Sequence, residues 1–196
     1  MVHVRFNGGY GAASSSSRCV DNRPRQYSHG EMPKPTLRRL ATHADMPAVH
    51  AIYMHPEVVP FLGIDPVSLA EFEPYFAGLI ASGAFFVVPR ESGVRGFYRA
   101  TRQPGRSSHV VILTTLAIDP AEKGSGLAAA MIEEAIEIER VRGVLRVELT
   151  LEADNQRALS FYRKLGFEQE GRLKRAYKRA GEPDYLDELV MARWLG

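Results

Sequence analysis

The chain has 196 residues, with 25 lysines and arginines against 23 acidic residues, and a formal net charge of +2. This length fits one globular domain with a short appendage, and no stretch approaches the ~18 consecutive apolar residues of a membrane-spanning helix. The single cysteine, Cys19, cannot form an internal disulfide, and no Cys/His cluster has zinc-ligand spacing. We therefore predict a protein without metal or membrane partner, in a reducing compartment such as the cytoplasm.

The basic excess lies in the first 31 residues. Residues 1–31 hold four arginines and two acidic residues, whereas residues 32–196 carry equal numbers of each sign. The first segment also contains a run of four serines and shows no apolar periodicity, so we predict a disordered N-terminal extension over 1–31 and one folded domain over 32–196. Because the folded part is neutral, nucleic acid is not expected as a partner.

The first half of the domain predicts two helices among four strands. Ser68 and Glu71 form the pattern of a capping box, which marks the start of the second helix. The run before Asp119 is mostly β-branched, which is typical of a buried central strand. In chain order the predicted elements are a strand at Thr36–Leu40, helices at Ala44–Met54 and Ser68–Ser82, and strands at Ala84–Pro89, Val94–Thr101 and His109–Ile118.

The second half alternates helices and strands before it ends in a hairpin. Asp154 is the predicted cap of the last helix, and Gly166 fits the left-handed position that ends it. The predicted elements are a helix at Gly126–Val141, a strand at Leu145–Glu152, a helix at Asn155–Leu165, and strands at Phe167–Tyr177 and Tyr185–Trp194. The complete order is β-α-α-β-β-β-α-β-α-β-β, which indicates an α/β fold.

A glycine-rich loop, Gly124-Ser125-Gly126, lies between the buried strand and an amphipathic helix. Backbone amides at the start of a helix form an anion site, and glycine lets a phosphate approach closely. A plain turn explains these three residues equally well. A dinucleotide fingerprint is a further alternative, because Gly124–Ala129 satisfies G-x-G-x-x-A with Glu148 about twenty residues later. Five residues, Asp119–Lys123, separate the strand from the first glycine, which disfavours that alternative.

Two longer motifs use more of the chain. TTLAIDPAEKGSGLAAAMIEEAI and the following VELTLEADNQRALSFYRKLGF resemble the GNAT family of acetyl-CoA-dependent N-acetyltransferases, and the resemblance covers residues 36–194. It implies an α/β fold with a mixed, mostly antiparallel sheet flanked by helices, in which a splayed strand pair binds acetyl-CoA. The implied reaction is acetyl transfer to a primary amine by direct attack in a ternary complex. The ending resembles bacterial members that act on free amino acids, small amines or protein N-termini, and dimers are common in the family.

The resemblance also assigns the site residues. Tyr162 is implied as the general acid toward the coenzyme A thiolate, and Asn155, seven residues earlier on the same helix, as a hydrogen-bonding partner of the pantetheine arm or acceptor. A core aromatic and a helix cap are the structural alternatives for these two residues. Ala121 departs from the family pattern, which has glutamine or arginine there. The implied cofactor-binding residues are Leu116, Ala117, Ile118, Lys123, Gly124, Ser125, Gly126, Leu127, Asn155 and Tyr162.

The proton acceptor for the amine is less defined. His109 is the only near-neutral titrating group of the central strand and is one candidate, as base or relay. A water chain that ends at bulk solvent, at Glu148 or at Glu152 is the alternative. The cations between Arg172 and Arg179 are predicted to form a solvated face. Tyr53, Phe61 and Phe72 are candidates for the acceptor pocket, and a non-catalytic acyl-CoA-binding domain is the alternative function.

Overall fold

The computed structural model describes residues 36–196, so the predicted extension over 1–31, the boundary at Met32 and Cys19 lie outside the described residues. The described part contains seven strands and four α-helices in the predicted order, with four short 3-10 turns between them. The strands are β1 Arg39–Leu40, β2 Phe85–Arg90, β3 Gly93–Arg102, β4 Val110–Ile118, β5 Arg146–Glu152, β6 Glu168–Tyr177 and β7 Leu186–Trp194. The helices are α1 Met46–Tyr53, α2 Leu69–Ala81, α3 Leu127–Val141 and α4 Gln156–Lys164.

The strands form one sheet in the order β1-β2-β3-β4-β5-β7-β6. Every neighbouring pair is antiparallel except β4 and β5, which are parallel and are connected through α3. A parallel connection needs such a crossover, whereas the antiparallel pair β2–β3 closes through a short turn. The predicted fold class, a mixed and mostly antiparallel sheet flanked by helices, is confirmed.

Two hydrophobic clusters cover the two faces of the sheet. On one face α1 and α2 pack aromatic side chains onto β2 and β3, with Phe72, Phe76 and Phe97 fully buried. On the other face α3 and α4 pack against β4, β5 and β7, with Met131 and Ile132 fully buried. Burial of each such side chain stabilises the fold by roughly 1.5–3 kcal/mol, so both helical layers are held firmly against the sheet.

Local signals placed most of the element ends. The capping box of α2 is present: the Ser68 hydroxyl accepts from the Glu71 amide at 3.3 Å, and the Glu71 carboxylate accepts from the Ser68 amide at 2.9 Å. Gly166 follows α4 with φ of +77°, as predicted. The prediction of Asp154 as the cap of α4 is wrong, because Asn155 accepts from the Ala158 amide at 3.0 Å instead.

The first strand is shorter than predicted. Residues 36–38 precede β1 because pairing with β2 is confined to Arg39 and Leu40. Arg38 is instead drawn into the interior, where its guanidinium donates to the Tyr98 hydroxyl at 2.6 Å and lies 4.0 Å from the Phe86 ring centre. Within residues 36–196 no helix is long and apolar enough to cross a membrane.

Candidate functional site

The parallel strands β4 and β5 separate soon after they meet. Val110, Val111 and Ile112 pair with β5, and from Leu113 onward the β4 edge that faces β5 has no strand partner within residues 36–196. Unpaired backbone groups on a sheet edge accept an added extended segment. The gap between the two strands is therefore a binding cleft with a ready-made hydrogen-bonding edge.

A cavity of about 270 Å³ fills this gap on the side of α3 and α4. Its lining combines the free end of β4, the loop before α3, one face of α4 and the segment from Glu57 to Leu62, which contributes Phe61. Six of the residues implied for cofactor binding meet here: Leu116, Ala117, Ile118, Lys123, Asn155 and Tyr162. The structure thus gathers into one cleft residues that are up to 46 positions apart in the chain.

The glycine-rich loop leads into α3 with its amides exposed. Gly124 and Gly126 both have φ of +84°, a left-handed conformation that glycine adopts without strain. Among the described residues, the amides of Gly124, Gly126, Ala128 and Ala129 have no hydrogen-bond partner. The Ser125 hydroxyl accepts from the Leu127 amide at 3.2 Å. Free amides at the positive end of a 15-residue helix fit a diphosphate group.

Lys123 supplies a cation beside this loop. Its ammonium donates to Glu57 at 3.1 Å, and both side chains are about half exposed. The Lys123 ammonium holds the pKa of the Glu57 carboxyl below its ordinary value. Ala121 is exposed and offers no charge, so Lys123 is the cation nearest the loop on its own segment.

A second cavity, of about 130 Å³, opens at the splay and meets the first one. It begins at a bulge in β4, where Thr115 takes the unusual φ of +49° and the pairing with β3 shifts between Phe97 and Arg99. A bulge of this kind turns side chains away from their regular alternation. Both Thr114 and Thr115 line the second cavity, which also includes Leu116, Asn155, Ala158 and Tyr162 from the first.

Tyr162 lies at the junction of the two cavities. Its side chain is 9% exposed, and its ring packs edge-on against Phe161 and Phe167 at centroid distances of 5.1 Å and 5.6 Å. The hydroxyl has no hydrogen-bond partner within residues 36–196. Burial, with a further contribution from the negative charge of Glu152, raises the pKa of Tyr162 above its ordinary value. The hydroxyl is therefore protonated at neutral pH and suited to donate.

Asn155 serves the helix and the cleft together. Its side-chain oxygen Oδ1 caps α4 by accepting from the Ala158 amide, and the residue also lines both cavities. The two roles that the sequence left as alternatives are compatible, because the amide nitrogen of a capping asparagine keeps two free donors. The neighbouring Asp154 points elsewhere and binds Arg179 through both oxygens at 2.7 Å.

Arg179 departs from the predicted solvated face. Its side chain is only 13% exposed, and its guanidinium carbon lies 5.1 Å from the Phe61 ring centre. Phe61 lines both cavities. The Tyr177 hydroxyl donates to the carbonyl of the preceding residue, Pro60, at 3.1 Å and so holds the Phe61 segment in place. Through Arg179 the last hairpin therefore contacts Phe61 beside both cavities, whereas the other cations of the run are exposed.

Two glutamates, Glu152 and Glu188, line the second cavity and are 6% and 5% exposed. They are directly opposite each other in the antiparallel pairing of β5 with β7. Burial raises the pKa of Glu152 above its ordinary value, and the charge of Glu188 adds to this shift, while Arg179 opposes it. The sequence pointed to Glu152 only as the end of a water chain and did not single out Glu188.

Other candidates lie away from this junction. His109 stands at the opposite end of β4, where its carbonyl accepts from the Leu145 amide at 2.8 Å, and it lines neither cavity. Glu148 accepts from the Arg146 guanidinium at 2.6 Å and also lies outside both cavities. Tyr53 and Phe72 are fully buried in the aromatic cluster under α1 and α2. Within residues 36–196 no group of three or more metal-ligating side chains is present.

Comparison with known proteins gives one family. Residues 46–167 match the model of the Acetyltransferase (GNAT) family. The chain is 40% identical over 93 residues to the L-amino acid N-acetyltransferase AaaT of Escherichia coli, which covers 47% of this chain and 56% of that protein. It is 29% identical over 126 residues to the N-alpha-acetyltransferase RimI of Mycobacterium tuberculosis, which covers 64% of this chain and 76% of that protein. The chain spans about half the length of several curated relatives that it matches.

Solved structures share the fold over most of the described residues. A ribosomal-protein-alanine N-acetyltransferase from Brucella melitensis superposes with a TM-score of 0.66 at 28% identity, covering 82% of this chain and all of that one. A phosphinothricin acetyltransferase from Sinorhizobium meliloti, solved in complex with acetyl-CoA, gives a TM-score of 0.64 at 25% identity and covers 81% of this chain and 88% of that one.

Proposed function

This chain belongs to the GNAT family of acetyltransferases, and from that premise we propose that it transfers an acetyl group from acetyl-CoA to a primary amine. The acceptor classes are a free amino acid, a small amine or a protein N-terminus, and the amine attacks directly within a ternary complex. The observation that carries the proposal is Tyr162, whose hydroxyl has no partner within residues 36–196, in the shared lining of the two cavities at the β4–β5 splay.

The first cavity and the loop fit acetyl-CoA as the cosubstrate. The free β4 edge from Leu116 to Ile118 suits the extended pantetheine arm. The open amides of Gly124, Gly126, Ala128 and Ala129 suit the diphosphate. Lys123 adds a charge-assisted contact to the phosphates. Bound acetyl-CoA supplies an activated acetyl group as a thioester, and the second cavity leaves room beside it for the acceptor's amine end.

Direct transfer needs two proton movements. The nitrogen lone pair of the neutral amine forms the new C–N bond while the C–S bond breaks, so the amine loses one proton and the thiolate gains one. Tyr162 donates to the departing sulfur, since burial keeps its hydroxyl protonated. Cys19 is the only cysteine and lies outside residues 36–196, so a thiol relay through the described residues has no carrier.

The test combines acetyl-CoA binding with thiol release. Calorimetry measures the affinity for acetyl-CoA, and a thiol reagent measures free coenzyme A with a panel of amino acids, polyamines and short peptides. Acceptor-dependent thiol release supports the proposal. Saturable acetyl-CoA binding without release for any acceptor would replace it with an acyl-CoA-sensing domain, the alternative that the missing long side chain at Ala121 favours. Binding of NADH without binding of coenzyme A would refute both functions.

His109 as the base stays a prediction, and the same assay tests it. His109→Gln keeps a hydrogen-bonding side chain but does not titrate near neutral pH. A role as base or relay predicts a loss of the acidic limb in the pH profile of kcat/KM. An unchanged profile would remove His109 from the mechanism, consistent with its position at the far end of β4.

A further inference from the structure

Arg99 on β3 is a cation without a counter-ion. Its side chain is partly buried, and within residues 36–196 no group accepts a hydrogen bond from it or forms an ion pair with it. Its Nε atom is shielded from solvent and also has no hydrogen-bond partner. By contrast, Arg102 on the same strand donates to the backbone carbonyls of Ser108 and Arg142. Because a buried donor without a partner costs stability, Arg99 is suited to an anion that the described chain does not provide.

The strand register places Arg99 beside the second cavity. Arg99 is directly opposite Thr114 of β4, so the two side chains extend on the same face of the sheet. Thr114 lines the second cavity, next to the bulge at Thr115. The Cβ atoms of such a pair lie about 4.5–5.5 Å apart, which is less than the length of an arginine side chain. The guanidinium is therefore within reach of an anion that enters the cavity at Thr114.

The residues that flank Arg99 on both neighbouring strands are uncharged. Phe85, its opposite residue on β2, is buried in the aromatic cluster of α1 and α2. Thr114, on the other side, offers only a hydroxyl group. The strand β4 separates Arg99 from the two glutamates of the cavity, which lie on β5 and β7. An anion at Thr114 would therefore meet a cation whose charge its strand neighbours do not neutralise.

The free Nε–H indicates which anion fits. A guanidinium presents its donors as a planar fork, and a carboxylate accepts two parallel hydrogen bonds from one side of that fork. In Arg179 the two terminal nitrogens already bind the Asp154 carboxylate, each at 2.7 Å. In Arg99 the Nε–H and the terminal nitrogens are all without a partner among the described residues. Arg99 can therefore bind a carboxylate in the bidentate way that Arg179 uses for Asp154.

We propose that Arg99 binds a carboxylate of the acceptor, so that the preferred acceptor is a free amino acid and not a polyamine or a protein N-terminus. This inference rests on the proposed acetyl transfer. Along β4, Thr114 precedes Leu116 of the cofactor edge by two residues, a separation of roughly 6–7 Å. An acceptor whose carboxylate is held beside Thr114 therefore extends its amine toward Leu116 and Tyr162, which line both cavities.

A matched series of acceptors tests the substrate class. Amino acids with the amine at the α position and at more remote positions are each compared with their amides and with the amines that lack the carboxylate, at saturating acetyl-CoA. We expect kcat/KM for the free acid to exceed that for either analogue by about 10- to 100-fold, as is typical for hydrogen bonds to a charged group. Analogues that react as well as the acids would overturn the inference and leave acetyl transfer intact. Thiol release with none of the acceptors would instead overturn the proposed function.

Arg99→Gln and Arg99→Lys test the residue itself. We expect Arg99→Gln to lower kcat/KM for free amino acids by about 10- to 100-fold, with kcat/KM for the amides and the affinity for acetyl-CoA unchanged. Arg99→Lys keeps the charge and loses the fork, so it should recover only part of the preference for acids. Arg102→Gln, on the same strand, is the control and should keep the wild-type preference. A wild-type ratio of acid to amide in Arg99→Gln, or the same change of ratio in Arg102→Gln, would overturn the inference.

Thermal unfolding gives a readout that does not depend on turnover. Arg99→Met removes no hydrogen bond or ion pair of the described residues, so its melting temperature should equal or exceed that of the wild type. With coenzyme A bound, the preferred amino acid should raise the melting temperature of the wild type more than that of Arg99→Gln. A large loss of stability in Arg99→Met would make Arg99 structural, and equal ligand shifts would place the carboxylate elsewhere. If a variant fails to fold, the acceptor series on the wild-type protein decides the question.

Discussion

Tyr162→Phe removes one oxygen from the junction of the cavities and leaves the ring contacts with Phe161 and Phe167 in place. The lost hydroxyl has no hydrogen-bond partner within residues 36–196, so the substitution breaks no hydrogen bond of the folded chain and strands no buried donor. We therefore expect the free energy of unfolding to change by less than about 0.5 kcal/mol. The effect should fall on the chemistry alone.

The size of the kinetic effect follows from the two acids involved. A thiol has an ordinary pKa of about 8.5 and a tyrosine about 10, so transfer from tyrosine to thiolate is already uphill. Burial raises the pKa of Tyr162 further, which makes the hydroxyl a weaker acid. Acid assistance then lies at the lower end of the usual range, and we expect kcat to fall by about 100-fold. The affinity for acetyl-CoA should change by less than about twofold.

Tyr98→Phe is the matched control for this prediction. Its hydroxyl accepts from the Arg38 guanidinium at 2.6 Å in the core, outside both cavities. Loss of a buried hydrogen bond to a charged group should cost about 1.5–3 kcal/mol of stability while kcat stays unchanged. Thiol-release assays measure kcat, calorimetry measures acetyl-CoA affinity and thermal unfolding measures stability, so the three methods applied to both variants separate a loss of catalysis from a loss of stability. Equal losses of kcat and acetyl-CoA affinity in Tyr162→Phe would show that Tyr162 acts by packing, and would refute the reasoning.

Three further predictions address the loop and the buried acid. Glu57→Gln frees the ammonium of Lys123 for the phosphates and should tighten acetyl-CoA binding by about two- to fivefold in calorimetry, an advantage that high salt should remove. Gly126→Ala forces alanine to φ of +84° and should cost about 1–2 kcal/mol of stability and weaken acetyl-CoA binding, whereas Gly143→Ala at +82° should cost similar stability with unchanged affinity. Equal affinities of the two alanine variants would separate the loop from cofactor binding. Glu152→Gln should raise the melting temperature at pH 8, and this gain should vanish as pH falls. Burial raises the pKa of this carboxyl in the folded protein, so the folded protein is most stable with Glu152 protonated. That stability is fully present below the unfolded pKa of about 4.3 and is lost as pH rises through the folded pKa, which glutamine avoids. A gain that grows toward acid pH would contradict that shift.

Local patterns predicted the elements well because their signals are contained within each segment. The Ser68–Glu71 capping box and Gly166 placed helix ends through backbone hydrogen bonding and a left-handed φ, both of which depend on neighbouring residues. The same approach chose the wrong cap for α4, because Asp154 and Asn155 are adjacent and both residue types can cap a helix. The choice there depends on Arg179, which binds the aspartate from 25 positions away.

The residues proposed to bind the cofactor could be named together because they lie close together in the chain. Leu116 to Ile118 and the loop before α3 are separated by five residues, and the family resemblance assigns them; the structure adds that they lie at a free strand edge and a helix N-terminus. The bulge at Thr115 had no signal, because a β-branched residue is a poor indicator of positive φ. The lining of the second cavity depends on which strands become neighbours, and the order β5-β7-β6 is a tertiary result.

Glu188 shows most clearly what that tertiary result adds. Along β7 it is one acid in an alternating strand, and only the register of β7 against β5 places it opposite Glu152. Two buried acids directly opposite each other are a pairing that cross-strand preferences disfavour, and the pattern of neither strand predicts it. Sites where a buried charge violates the packing rule are where function is expected.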